Sequence, residues 1–266
     1  MKKTQVLTIV GFALGIGMMF YGMGIESLGL FVDIPSVAIT VGGVIAVTII
    51  INPPHVLKKF GTLVVQSIKE DTSSKAVIVT QFTELSTKAR KEGLLSLEDT
   101  INNLEDEFLK KGLQMVVDGT EPDAIKEILE ADIAGMETRH AENANMFTMI
   151  GVYGPSMGML GTLIGLIKML ANLQDASKIA ASMGIALVTT YYGSIVANLF
   201  GSPISQNLIA KTKSEVAIKE MILEGVLAIQ AGLNPRIVEQ KLVCYLSPEE
   251  RKAFDQNNFN GSEGAA

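Results

Sequence analysis

The chain has no tryptophan, one cysteine and two histidines among its 266 residues. A single cysteine excludes an intrachain disulfide, and Cys244, His55 and His140 show none of the spacings that hold a structural metal. Enzyme signatures are missing as well: no phosphate-binding glycine loop, no nucleophile elbow, no HExxH pair and no Cys pair. Charged residues make up only 19% of the chain and are clustered. The net charge of −6 does not suggest nucleic acid as a partner, because residues 52–145 mix 11 Lys and Arg with 17 Asp and Glu.

What the sequence has in quantity is apolar length. Four runs, near 4–25, 35–51, 146–171 and 179–201, are each long enough as helices to cross a hydrocarbon core of about 30 Å, the second only just. The expected fold is therefore all-α: a polytopic membrane protein with four transmembrane helices and a helical cytoplasmic domain. The first run follows Lys2 and Lys3, as a signal peptide would. It is longer than a usual signal core and ends at Gly24-Ile25-Glu26 without a cleavage site, so a retained span is expected. Of the 22 basic residues, 20 lie at the N-terminus, in 52–145 or after 201, which places both termini and the long loop in the cytoplasm.

The polar segments read as helix. Asn52-Pro53-Pro54 stops the second run, because proline cannot donate and disfavours helix before it. Leu94, Leu97, Ile101, Leu104 and Phe108 form one helical stripe, with Ser96, Glu98 and Asp99 suiting a helix start; Pro122 opens a helix expected to continue into the third run. A further helix over 204–231 breaks at Gly232-Leu233-Asn234-Pro235, and 256–264 is expected to be disordered. The division expected from hydropathy is a membrane hairpin over 1–52, a cytoplasmic helical domain over 53–145, a second membrane hairpin over 146–203 and a cytoplasmic helical tail over 204–266.

Within the four runs the only charged residue is Lys168, close enough to one end to reach the interface. Ion pathways usually keep an acid, a base or a histidine inside the bilayer, so a carboxylate, if one is needed, must come from a partner. The runs offer small and polar groups instead. Gly151, Gly154, Gly158, Gly161 and Gly165 are spaced 3, 4, 3 and 4, one stripe of a helix that something approaches closely. Gly193, Ala197 and Gly201 give the fourth run a matching smooth face. Pro155 and Pro203 each deprive the carbonyl four residues earlier of its hydrogen bond. Thr162, Thr189 and Thr190 carry hydroxyls that, with freed carbonyls, are hard oxygen ligands for a small cation; the alternative is that each bonds its own i−4 carbonyl. In the loop, Arg90, Lys91 and Glu98 read alone as a solvated charge run.

Three segments carry a resemblance to a known family: KARKEGLLSLE at 88–98, GPSMGMLGTLIGL at 154–166 and ALVTTYYGSIVANLFGSPI at 186–204. With the order of two spans, charged loop, two spans and tail, the chain resembles the MotA/PomA family, the larger membrane subunit of the bacterial flagellar stator. The resemblance implies a homopentamer around a dimer of a MotB-like single-span protein carrying the essential aspartate, in the bacterial cytoplasmic (inner) membrane. It implies that spans three and four line the ring, that the glycine stripe meets the partner helix or a neighbouring subunit, and that Pro155 and Pro203 govern gating. Arg90, Lys91 and Glu98 would contact a FliG-like rotor switch protein. No cofactor is implied, only a transported cation, Na+ or H+, with Thr162, Thr189 and Thr190 resembling the sodium-type members. Two other readings stand beside it: an ExbB/TolQ-like energiser of outer-membrane work, and a non-conducting membrane scaffold.

Overall fold

The structure, a computed structural model, describes residues 6–69 and 74–263; the side chains of Val6 and of residues 257–263 are not described. Among the described residues there is helix and no strand. Lys2 and Lys3, which contribute to the expected orientation, lie outside the described residues.

Helix α1 (Val6–Met23) ends at Gly24, whose φ of 71° only glycine adopts freely, and a 3-10 turn follows at Ile25–Phe31. These two pieces are bent by 95°. Helix α2 (Ile34–Ile51) contains a π turn at Ala38–Gly42. Asp33 caps it by accepting from the Ser36 N–H at 2.8 Å. After Asn52-Pro53 comes a single turn, Pro54–Leu57, then α3 (Phe60–Ile68). The remaining elements are α4 (Lys75–Glu92), short turns at Leu94–Leu97 and Glu98–Asn102, α5 (Glu107–Val117), α6 (Pro122–Leu170), α7 (Ala176–Gln230), α8 (Pro235–Val243) and α9 (Pro248–Glu263).

By length and composition three of these, α2, α6 and α7, are able to cross a membrane, and the bent α1 with its 3-10 turn makes a fourth if the pair is one broken span. The helix expected to begin at Pro122 and enter the third apolar run is continuous over 49 residues. Helix α7 also joins two expected pieces, running through Pro203 by way of a π turn at Val196–Gly201. There the Ser202 N–H bonds Ala197 O, five residues back, so the ladder changes step just before the residue with no N–H to give.

Packing divides the chain into two compact units, one of Met1–Asp71 with Arg139–Lys211 and one of Thr72–Thr138 with Thr212–Ala266. These boundaries fall further into the polar segments than the hydropathy division. The reason is a small core in which Val56 and Leu63 meet Ala144, Met146, Phe147, Ile204 and Leu208. Phe60 and Phe147 stack there at 5.2 Å, and Lys211 Nζ donates to Gln66 O, Ser67 O and Lys69 O at the C-terminus of α3.

The second unit has a conventional helical core. Phe82, Leu97, Ile101, Leu113, Leu129 and Met221 are completely buried, each burial contributing about 1.5–3 kcal/mol. Phe82 lies over Gly225, where a Cβ would come within 2.5 Å of its ring. The stripe from Leu94 to Phe108 is not one helix. It passes through a 3-10 turn, a short helix and a break, and Asp106 caps α5 by accepting from the N–H groups of Phe108 and Leu109 at 2.9 Å. All five apolar residues still reach one core, with Leu97, Ile101 and Phe108 buried and Leu94 and Leu104 packed against it. At the far end Ser247 and Glu250 form a capping box for α9: the Ser247 N–H donates to Glu250 Oε2 at 2.8 Å and the Glu250 N–H to Ser247 Oγ at 3.2 Å. The end expected to be disordered, 256–264, lies from 257 onward outside the residues whose side chains are described, although α9 extends to Glu263.

Candidate functional site

The five glycines of α6 fix the geometry of the hairpin made with α7. A Cβ on Gly154 would lie 2.8 Å from Gly193 O and 3.1 Å from Ala197 Cβ; on Gly158, 3.0 Å from Thr189 O; on Gly161, 2.5 Å from Thr189 Cβ; on Gly165, 2.7 Å from Ala186 Cβ and from Ser182 O. Gly151 closes the row against Ser202 Oγ at 2.8 Å. The smooth face of α7 is reciprocal: Gly193 and Gly201 admit the backbone of Gly154 and Gly151 at distances no side chain would allow. The stripe packs against the chain's own α7, whose smooth face at Gly193, Ala197 and Gly201 matches it, where the family resemblance implies a partner helix or a neighbouring subunit. In lipid, such backbone proximity supplies the packing that a hydrophobic effect cannot.

Two of the three threonines come together on this frame. Thr162 Oγ1 and Thr190 Oγ1 share a short hydrogen bond, and both hydroxyls reach the same acceptor, Ala186 O, at 3.2 and 3.3 Å. Thr162 also reaches Gly158 O at 3.1 Å. Thr190 is exposed and Thr162 half-buried. Thr189 is completely buried against Gly161, its hydroxyl bonding Ile185 O at 2.9 Å and Ala186 O at 3.0 Å. All three therefore make the i−4 bond, and only Thr162 and Thr190 add a partner on another helix. A hydroxyl that donates its one proton keeps lone pairs for a cation or a water, so pairing does not close the site.

Pro155 is exposed and lies inside α6, four residues after the Gly151 carbonyl it leaves without an N–H; Pro203 is half-buried beside the π turn. Close by, Thr148 Oγ1 and buried Ser205 Oγ pair at 2.6 Å, a contact the sequence reading missed. It also missed Ser36 and Thr40, both completely buried on α2. The only sequence signal for these was Asp33-Ile34-Pro35-Ser36, an acidic cap with proline in the first turn.

The loop charges form a separate group. Arg90 and Lys91 occupy the last turn of α4 and Glu98 begins the next short helix; all three are exposed. Between them Gly93, with φ 87° and ψ 165°, turns the chain in a conformation reserved for glycine. Leu97 and Ile101 root the turn in the core, and Lys88 Nζ bonds Thr100 Oγ1 at 2.9 Å across it. Basic residues at a helix end and an acid at a helix start also suit the local dipoles. Among the described residues no three His, Cys, Asp or Glu converge to hold a metal.

A family model described as the MotA/TolQ/ExbB proton channel family matches residues 100–221. The chain is 40% identical over 254 residues to uncharacterized protein YtxD of Bacillus subtilis, covering 94% of this chain and 93% of that one. It is 40% identical over 255 residues to motility protein A of Borreliella burgdorferi, covering 95% and 98%. Among solved structures, the flagellar MotAB stator complex from Bacillus subtilis matches with a TM-score of 0.85 at 32% identity, covering 94% of this chain and 98% of that one. The chain belongs to the MotA/TolQ/ExbB proton channel family, in its MotA/PomA branch.

Proposed function

We propose that this chain is the larger membrane subunit of a flagellar stator that, with a MotB-like single-span partner, couples inward flux of Na+ or H+ to torque on the rotor. The observation that carries the reading is the Thr162–Thr190 hydroxyl pair, held on a glycine-packed hairpin whose apolar part has no acid to titrate. The partner's aspartate supplies the missing charge. Five copies surround two partners in the inner membrane, with both termini cytoplasmic, as the distribution of Lys and Arg favours. Residues 146–203 line the path, residues 53–145 face the rotor, and 204–266 complete the cytoplasmic part.

An ion entering the path neutralises the partner's carboxylate, which then leaves the face of one subunit for the next. Five faces cannot satisfy two carboxylates identically, so each loading step biases rotation. The membrane potential supplies about 2.3 kcal/mol per charge per 100 mV. Thr162 and Thr190 give the ion or its water hydroxyl oxygens, Thr189 shapes the wall behind them, and Pro155 and Pro203 mark where α6 and α7 yield. Arg90, Lys91 and Glu98 transmit the movement to a FliG-like switch protein. The hydroxyl pair favours sodium, and full swimming speed in sodium-free medium would overturn that choice.

Native mass of the complex, purified after co-expression with a single-span, aspartate-bearing membrane protein, tests the assembly. Five copies with two of the partner are expected. A homomer that binds no such partner would favour a scaffold, and capture of a TonB-like partner would favour an outer-membrane energiser.

A further inference from the structure

The buried hydroxyls of α2 play no part in the function proposed above, although Ser36 and Thr40 are both 0% exposed. A hydroxyl on a membrane helix ordinarily settles on its own i−4 carbonyl. Thr48 does only this, at 2.7 Å from Val44 O. Thr40 makes the same bond to Ser36 O at 2.6 Å, but its Oγ1 is also 3.5 Å from Thr189 O on α7. Ser36 Oγ bonds the Asp33 carboxylate and lies 3.5 Å from Ile185 O. Two hydroxyls one turn apart on α2 thus face two carbonyls one turn apart on α7.

Those carbonyls flank the threonine pair. Ile185 O accepts from Thr189, Ala186 O accepts from Thr162, Thr189 and Thr190, and Thr189 O is the atom a side chain on Gly158 would strike. The turn of α7 that presents Thr190 is therefore packed on one side by the glycines of α6 and bordered on the other by the hydroxyls of α2, which donate their short bonds to Ser36 O and the Asp33 carboxylate and approach the α7 carbonyls at 3.5 Å. We propose that Ser36 and Thr40 are positioning residues that set the Thr162–Thr190 oxygens and thereby the apparent affinity for the transported ion. The inference rests on the stator reading. Selectivity at oxygen-lined sites depends on where those oxygens are held, so loss of one side of this packing changes binding before it changes assembly.

The test uses the chain with its partner in motile cells and reads rotation speed against external Na+ at fixed pH, and against pH at fixed Na+. Thr190→Val is the control for the stator reading, and it must abolish or strongly shift the ion dependence. Thr40→Val is expected to raise the half-saturating ion concentration roughly threefold to tenfold, the equivalent of one lost hydrogen bond, with maximal speed and complex yield retained. Thr40→Ser, which keeps the hydroxyl, restores the native value. Ser36→Ala shifts the curve in the same direction, and it serves if Thr40→Val fails to assemble. If Thr190→Val acts while Thr40→Val and Ser36→Ala leave the half-saturating concentration unchanged, or lower only yield, the positioning role is wrong. If Thr190→Val itself has no effect, the ion-site reading fails first.

Discussion

Replacing Gly193 by alanine tests the helix contact on which the candidate site rests. The new Cβ would lie 2.5 Å from Gly154 O and 3.2 Å from both Gly154 C and Gly158 Cα, all backbone of α6. Ordinary contact begins at 3.4 Å, so one helix must retreat by about 0.9 Å, the difference between the two distances. No rotamer relieves the overlap. A gap of that size along the flanking contacts forfeits roughly a quarter to a half of each dispersion well, and overpacking of this kind costs about 1–3 kcal/mol. At Gly184, on the same helix, an added Cβ would meet nothing within 4 Å, so Gly184→Ala is the matched control and gains helix propensity if anything. With no tryptophan in the chain, heat resistance is best read as the fraction of solubilised complex that stays monodisperse on size exclusion after fixed heating. Gly193→Ala should aggregate at clearly lower temperature than Gly184→Ala. Equal heat resistance of the two would refute the close packing of α6 and α7.

Other outcomes follow from the same geometry. Pro155→Ala restores an N–H for the Gly151 carbonyl, so assembly should persist while rotation slows or stops; unchanged rotation speed would return Pro155 to a packing role. Glu98→Lys should leave complex yield intact, because the side chain is exposed, yet reduce swimming, and a compensating charge change on the rotor switch protein should recover it. Lys211→Met removes the donor to Gln66 O and Ser67 O, which should cost about 1–2 kcal/mol of local stability and speed amide exchange at the end of α3. Glu250 is held below the ordinary glutamate value, first by the Ser247 N–H and then by the Ser247 hydroxyl, with burial opposing. Its folded value is the lower one, so its contribution to α9 is present above the unfolded value and is lost as pH falls through the folded one. Glu250→Gln should remove that acid dependence, measured as exchange protection of α9 amides.

Much of this arrangement was legible because spacing is geometric information. The 3, 4, 3, 4 run of glycines declares a close approach, but it cannot say by whom, since a helix of the same chain and one of another chain satisfy it equally. The structure gives the place to α7. The stripe from Leu94 to Phe108 points to one core from either a single helix or two short ones, and periodicity alone does not separate them. Asp106 and Glu107 were the available sign of a second start, because an acid at the cap serves the free N–H groups of Phe108 and Leu109. Adjacent threonines at 189 and 190 are alike in sequence, yet about 100° of helical turn buries one against Gly161 and exposes the other beside Thr162. For Ser36 and Thr40 the sequence offers only the helix start at Asp33-Ile34-Pro35, since the carbonyls they approach lie about 150 positions away.

The central claim, that this chain turns ion flux into torque through a carboxylate it does not itself carry, is tested most directly on single motors. Cells whose motors lack their own stator would receive this chain with a MotB-like partner, and rotation of tethered cells would be recorded. Rotation should return in discrete steps as units engage and cease when the ion gradient is collapsed. It should never start when the partner's intramembrane aspartate is replaced by alanine. Rotation that persists with that alanine partner would contradict the account.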